Sequence, residues 1–506
     1  MIKVYLDWSV MTLLKKGGHK ELEEILSNKD RFLIPFSTAH IGDIFSSFDG
    51  NEKQQEYVDS DLEFITKFTE DRCLYNESER IVIDYYPPKE LFDQRIESSQ
   101  LLKVIPTRGF YSLFDGLDIP QETLDTIKGK LDSIPMDPIL QEMLEDPEKA
   151  KEVEKLFPGL KENPTFEGTL NGMMAMTQGL NETESYKDLR QTVQSGLNIN
   201  RDKIIDSKDP YEMIYKLYDK AGVKKSDHLS NSKQGPAWYN KICNEYVLLD
   251  MHGYQEDKIN IDIEKGRKET FRNTTEDAFH CAFAATCNFY ITNDNKTYKK
   301  SKKLYEQLGL QTTVLKPDEF VKYFKNYLDI ENKGIDILLI NEVLKKFGYY
   351  EEDMTDSKLR IYLIPYFLFD FFNKIMVIVT NTGEVESIIL SRDNPTHNFI
   401  LALEIRKLIA RLNLSFGPDD DNLGELHDNE LEDDTFKERI WNRDEYKWKL
   451  TRLNGHFQLY FNFPKPERKN WIFKISRFLR KIIFRSFSYL QSLFRKVLNK
   501  FLYLFV

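Results

Sequence analysis

The chain predicts an α/β fold: a parallel sheet flanked by helices, with a mostly helical insertion and an additional α+β C-terminal module. Three observations predict it. Two short apolar segments almost three hundred residues apart, Val4-Tyr5-Leu6-Asp7 and Phe289-Tyr290-Ile291-Thr292-Asn293-Asp294, each end in a carboxylate. Helical and strand-like stretches alternate around both at the lengths a parallel sheet requires. Open α/β sheets bind ligands beyond the carboxyl ends of their strands, so an Asp at that end is placed to act.

Residues 2–6 form the first strand, and helical periodicity covers 9–14 and 21–26. Residues 31–35 read as a second strand, and Ser37 is placed to cap a helix over 38–48. A helix over 59–68 and an extended stretch over 80–84 complete the first half. From about 86 to 240, Pro and Gly punctuate short stretches of helical spacing, which predicts the helical insertion. The α/β alternation resumes with helices over 244–251 and 275–286 and a strand over 289–292. A helix over 296–308 follows, closed by Gly309, then a strand over 312–315 and a helix over 317–324. This first domain spans 1–326.

A second module spans 331–466. Residues 335–347 are amphipathic, and 361–372 form an apolar run too short, and too polar within, for a membrane span. Hairpins are expected at Asn381-Thr382-Gly383 and Asn454-Gly455, and a helix over 396–412. Residues 419–434 carry nine acids in sixteen positions and read as a solvated loop.

Residues 467–506 predict a long basic amphipathic helix. Lys474, Arg477, Lys481, Arg485, Ser488, Ser492, Arg495 and Asn499 fall on one stripe, and most of the rest is apolar. From Arg468 onward there are ten Lys/Arg and no acid, which leaves the first 467 residues at −21. Two readings of this segment stand level. It lies on an anionic membrane surface, or it packs on protein, including a second copy of the chain.

The 506 residues are 41% hydrophobic and 30% charged, enough for several buried cores. Four scattered cysteines give no disulfide framework and no zinc spacing, and the N-terminus lacks the apolar run of a signal peptide; a cytoplasmic location is expected. No Walker A loop, Gly-x-Gly-x-x-Gly, Gly-x-Ser-x-Gly or His-Glu-x-x-His occurs, so NTP-driven and serine-hydrolase chemistry have no residues to carry them. Arg392-x4-His397 has a spacing seen in metal-independent ribonucleases, but it follows a strand, and eight histidines make a chance match easy.

Four acids stand out by position: Asp7 and Asp294 at strand ends, Asp43 on the helix after the second strand, and Asp277 in Glu276-Asp277-Ala278-Phe279-His280. Clustered carboxylates repel one another without a cation, and hard divalent ions take oxygen ligands while keeping waters. Such a set suits metal-assisted attack on a phosphodiester. Each acid also has a plainer reading. Asp277 could serve as an N-terminal helix acid, and Asp294 could cap the following helix. His40 and His280 read as packed or hydrogen-bonded histidines. Lys296, Lys299 and Lys300, just after Asp294, could meet backbone phosphates or form a solvated face. Thr292 and Asn293 could support the carboxylates or the substrate.

The residues resemble the PIN-like nuclease superfamily over about 1–83 and 244–326. The likeness rests on Tyr-Leu-Asp7, the Ser-x-x-His-Ile-x-Asp43 segment, Asp277-x-x-His-x-x-x-Ala, Thr292-Asn293-Asp294, and the stretches 300–309 and 312–320. Asp43 stands where Glu is more usual, and the long insertion separates the halves. The resemblance implies an Mg²⁺- or Mn²⁺-dependent endonuclease, most often a ribonuclease acting on single-stranded RNA, with a toxin-like or defence role. Asp7, Asp277 and Asp294 would hold the metal and Asp43 would complete the acidic ring. The alternative is a non-catalytic PIN-like scaffold, attached to membrane or self-associating through its C-terminal helix.

Overall fold

The computed structural model describes the chain except residues 49, 78, 109–119, 133, 135, 137, 223–234, 263–266, 332–339, 341–343, 346, 393–400, 431–435, 444–445, 454 and 463–506. In chain order the first part runs β1 (Ile2–Leu6), α1 (Trp8–Lys15), α2 (Lys20–Leu26), β2 (Phe32–Leu33), β3 (Phe36–Ser37), α3 (Thr38–Ser46), α4 (Glu52–Thr69), β4 (Arg72–Glu77) and β5 (Arg80–Tyr85). The regular elements of the expected insertion are all helices among its described residues: α5 (Pro88–Arg108), α6 (Gln121–Asp132), α7 (Pro138–Glu145), α8 (Pro147–Leu156), α9 (Phe166–Glu182), α10 (Ser185–Gly196), α11 (Arg201–Ile204) and α12 (Pro210–Ala221). Then come α13 (Ala237–Met251), β6 (Asn260–Asp262), β7 (Arg267–Glu269), α14 (Phe271–Ala284), β8 (Phe289–Ile291), α15 (Asn295–Leu308), β9 (Thr313–Leu315) and α16 (Pro317–Glu331).

The central sheet has the order β2-β1-β8-β9 and is parallel throughout. The chain steps from β1 to β2 on one side and from β8 to β9 on the other. The strand order therefore reverses between β1 and β8, and the crevice beyond their carboxyl ends is where an open sheet binds ligand. Alternation along β1 divides its side chains between two cores. Ile2, Val4 and Leu6 enter one with α1, α2 and α16, while Tyr5 enters the other with α13, α14 and α15. Each aliphatic side chain fully buried there contributes about 1.5–3 kcal/mol. A smaller sheet, β3-β4-β5, pairs β3 and β4 in parallel and β4 and β5 antiparallel.

The C-terminal part is α+β. Strands β10 (Tyr350–Asp353), β11 (Ser357–Leu368), β12 (Phe372–Thr380), β13 (Val385–Ser391), β14 (Arg439–Arg443), β15 (Tyr446–Leu453) and β16 (His456–Asn462) make one antiparallel sheet, with α17 (Leu401–Phe416) packed into its core. Both expected hairpins are present as β12–β13 and β15–β16. The apolar run 361–372 is the end of β11 and a tight turn into β12, with Phe369 and Asp370 at φ of 54° and 53°. The acidic stretch is not wholly solvated. Asp419 and Glu430 are buried, and Arg439 donates from Nη2 to Glu430 Oε1 at 3.0 Å. Most of 335–347, His397 and all of the basic tail lie outside the described residues. Among the described residues no helix is long and apolar enough to cross a membrane.

The two parts share one core. Phe289 of β8 meets Phe367 of β11 with ring centroids 5.8 Å apart. Beside them Glu404 is fully buried, 2.9 Å from Arg392 and 3.7 Å from Lys3. Arg392 is thus a core ion-pair residue. Burial alone would raise the Glu404 pKa, but Arg392 and Lys3 pull it from 4.5 to about 2. A depressed carboxylate contributes stability above its unfolded pKa and loses it as pH falls through the folded one. Glu404→Gln is therefore expected to cost about 3 kcal/mol at neutral pH. Urea unfolding followed from neutral pH down to about pH 2 should show the wild-type advantage vanish over roughly the last three pH units.

Candidate active site

Asp7 follows β1 directly. Its backbone N–H donates to Ile291 O of β8 at 2.9 Å, and its Oδ2 accepts from Ser9 Oγ at 2.6 Å and Thr292 Oγ1 at 2.7 Å. Asp7 is 4% exposed. Burial raises its pKa, and the charge of Asp43 adds to the rise; His280 and the two hydroxyls oppose it.

Asp277 lies in the middle of α14, not in its first turn, so a dipole role does not account for it. Thr297 donates from Oγ1 to Asp277 Oδ2 at 3.2 Å, and Tyr246 Oη stands 3.2 Å from Thr297 Oγ1. Burial pushes the Asp277 carboxyl well above its usual range, followed by the charges of Asp257 and Asp7, and then of Asp43; Lys300 opposes them. Asp7, Asp43 and Asp277 therefore act on one another as like charges.

Asp43 is held by a buried hydrogen-bond chain. His280 Nε2 donates to Asp43 Oδ2 at 2.8 Å, and His280 Nδ1 is 2.7 Å from Tyr5 Oη. Tyr5 Oη is 2.6 Å from Ser37 Oγ. His40 Nε2 donates to Leu6 O at 2.8 Å, and its Nδ1 accepts from the Ser37 backbone N–H, closing a capping box at the start of α3. Burial opposes protonation of His280, yet the charge and hydrogen bond of Asp43, with Asp7 and Glu276 behind, raise its pKa. Burial and the neighbouring His280 hold the His40 pKa well below the usual range.

The approach of α3 to α14 depends on Gly42. A Cβ there would lie 2.3 Å from the Glu276 carboxylate. Gly42→Ala must displace the buried Glu276 carboxylate and disturb its pairing with Arg95. We expect it to lower stability by about 1–3 kcal/mol, read as a drop in the thermal midpoint; an unchanged midpoint would contradict this packing.

Asp294 is exposed and serves as the helix cap: its Oδ1 accepts from the N–H groups of Lys296 and Thr297, both at 2.8 Å. It joins Asp7 through Thr292, whose Oγ1 accepts from the Asp294 N–H at 3.2 Å while donating to Asp7. Asn293 is exposed, and its N–H donates to Ser9 Oγ at 3.2 Å. Among the described residues no group of three or more His, Cys, Asp or Glu stands at metal-holding spacing. Asp43 is paired with His280 and Asp294 caps its helix, which leaves Asp7 and Asp277, the first of which raises the pKa of the second.

The expected phosphate-binding lysines are placed otherwise. Lys300 is fully buried, 2.8 Å from Asp257 and 3.2 Å from Asp250, with its ammonium over the Tyr246 ring. Substrate cannot reach it, which corrects that expectation. Burial alone would lower its pKa, but Asp257 and Asp250 raise it, so it stays charged. Lys296 donates to Glu256 O at 2.6 Å and Lys299 to Asp206 at 2.8 Å. Three residues near the acids carried no signal in the sequence. Lys316 donates to Asn293 O at 2.8 Å and feels Asp294 and Asp7. Glu276 is paired at 2.6 Å with Arg95, which comes from the insertion 181 residues away. No family model, no curated protein and no solved structure matches the chain.

Proposed function

We propose that residues 1–326 are a PIN-like nuclease domain and that the protein is a metal-dependent endonuclease, with single-stranded RNA as the favoured substrate. One observation carries this reading. At the strand-order reversal between β1 and β8, Asp7 feels the charge of Asp43, and Asp277 feels those of Asp7 and Asp43; burial with this repulsion raises the pKa of both Asp7 and Asp277. A divalent cation would offset that repulsion. The donor set fits a hydrated Mg²⁺ or Mn²⁺, which takes one or two carboxylates and keeps its remaining waters. Asp7 and Asp277 would hold it, and Asp43, fixed by His280, would orient a water. The ion would supply charge neutralisation at the phosphate oxygens and a more acidic water. Thr292 and Ser9 fix the Asp7 rotamer, and Thr297 fixes that of Asp277.

The competing reading is a non-catalytic PIN-like scaffold. The commitment of Asp294 to helix capping speaks for it, since one member of the expected ring has other work. Labelled single-stranded RNA and DNA, incubated with the full chain and Mn²⁺ or EDTA, separate the two. Cutting that needs Mn²⁺ supports the nuclease. No cutting of either polymer, with no metal retained on the protein, supports the scaffold.

A further inference from the structure

We propose that Lys316 is a substrate-binding residue of the candidate active site, where its ammonium contacts a phosphodiester oxygen of single-stranded RNA beside Asp7. This rests on the nuclease reading. The sheet register places the residue. Leu6 of β1 is level with Ile291 of β8, and Ile291 with Leu315 of β9. Asp7, Thr292 and Lys316 are therefore the first residues beyond three adjacent strands, in one row at the carboxyl ends where an open sheet binds ligand. The Asp7 N–H donates to Ile291 O at 2.9 Å and the Thr292 N–H to Leu315 O at 3.1 Å, which carries the pairing through to this row. Two strand spacings, about 10 Å, separate the backbones of Asp7 and Lys316.

The ammonium is held in place without being neutralised. Its Nζ donates to Asn293 O at 2.8 Å and lies 5.2 Å from the centroid of the Tyr298 ring. An ammonium has three donors and Lys316 is partly exposed, so donors remain for a ligand. Among the described residues no carboxylate pairs with it. The acids whose charge it feels, Asp294, Asp7 and Glu319, are turned to other donors. Asp294 Oδ1 caps α15, and Asp7 Oδ2 takes Ser9 and Thr292. Glu319 Oε2 accepts from the Lys316 backbone N–H at 2.8 Å, and its Oε1 accepts from Tyr298 Oη at 3.3 Å.

Asn293 links the two ends of the row. Its O holds Lys316, and its N–H donates to Ser9 Oγ, which donates to Asp7. The lysines of α15 are committed elsewhere: Lys300 is buried, Lys299 is paired with Asp206, Lys303 with Glu306, and Lys296 donates to Glu256 O. A phosphodiester is an anion and must approach a carboxylate site. A cation fixed in the same row offsets that repulsion. It acts on phosphate oxygens as a point charge and so grips any sequence.

The test uses the full chain. Binding of a labelled oligouridylate is measured by fluorescence anisotropy in an Asp7→Asn background, at fixed Mn²⁺ over a series of salt concentrations. Lys316→Gln keeps a donor for Asn293 O and removes the charge; Lys316→Arg keeps the charge. Lys316→Gln is expected to weaken binding about tenfold and to reduce the salt slope by about 0.7, and Lys316→Arg to restore the slope. In the otherwise wild-type chain, Lys316→Gln should raise KM for RNA cleavage about tenfold with kcat within about twofold. Weaker binding with an unchanged slope would make Lys316 a support for the Asn293 loop alone and overturn the contact. Unchanged affinity, slope and KM, with the parent still binding and cutting RNA, also overturn it and leave the nuclease standing. No binding and no cutting by the parent overturn both.

Discussion

Asp7→Asn is expected to abolish cleavage while making the protein more stable. Removing one of the two carboxylates that would hold the metal costs about 10²–10³ in kcat by analogy with single electrostatic contacts in other active sites. The fold has no matching need for the charge. Asn keeps an oxygen that accepts from Ser9 and Thr292, so the local hydrogen bonds persist. What is lost is a buried anion whose pKa burial has raised, with Asp43 adding to it. A carboxylate with a raised folded pKa makes the native state dearer at neutral pH than in acid. Its penalty fades as pH falls toward the folded value. The variant should therefore gain about 0.5–2 kcal/mol at neutral pH, with the gain over wild type shrinking on acidification. Thermal unfolding at neutral and mildly acidic pH, beside a cleavage assay with Mn²⁺, reads both. Asp294→Asn offers a contrast, because Asn caps a helix about as well as Asp. Its fold should be untouched, and any loss of cleavage reports the charge alone. An Asp7→Asn protein that cuts normally would remove the basis for the nuclease proposal.

Lys300→Met should produce the largest loss of stability, about 3–5 kcal/mol, because it strands two buried carboxylates. Met fills most of the space, so packing is a minor part of the effect. Asp257 lies next to Lys296 and Lys300 and is held below the usual carboxylate range by them despite burial, while Asp250 also takes Arg190 Nη1 at 3.1 Å. The damage should be partly reversed by neutralising a partner: Lys300→Met with Asp257→Asn is expected to be more stable than Lys300→Met alone. Urea denaturation of wild type, both single variants and the double variant gives the coupling. Were Lys300 a solvent-facing phosphate contact, the single change would leave stability within about 0.5 kcal/mol and weaken RNA binding instead.

The strand ends, the alternation and the hairpins were legible because they depend on neighbours in sequence. Val-Tyr-Leu-Asp7 announces a strand that stops at an acid, and Asn454-Gly455 announces its turn. Lys300 departs from the expectation for a reason that is also local. Thr297, Lys300 and Leu304 lie at i, i+3 and i+7, which is the buried face of α15, while Lys299 is turned outward. Adjacent lysines on a helix need not share an environment. The chain Ser37–Tyr5–His280–Asp43 was illegible because its members are 32 to 275 positions apart along its links, and hydrogen-bond partners at that separation leave no periodic trace. Arg95 was hidden for the same reason. It arises in a segment whose composition marked it only as an insertion, yet it provides the cation beside Glu276.

The pairing of β1 with β8 has a consequence for biosynthesis. Val4 is matched with Phe289, so β1 waits for a partner made some 285 residues later. Closing so long a loop in an unstructured chain costs about 5 kcal/mol in entropy, and such non-local topologies fold slowly. Helices of the insertion, built from nearby contacts, can form first and shorten the effective distance between the two strand ends. Until β8 is complete, Asp7 has no Ile291 and no Thr292 to hold it. The nascent polypeptide therefore has no assembled acidic crevice until residues 289–292 have been made.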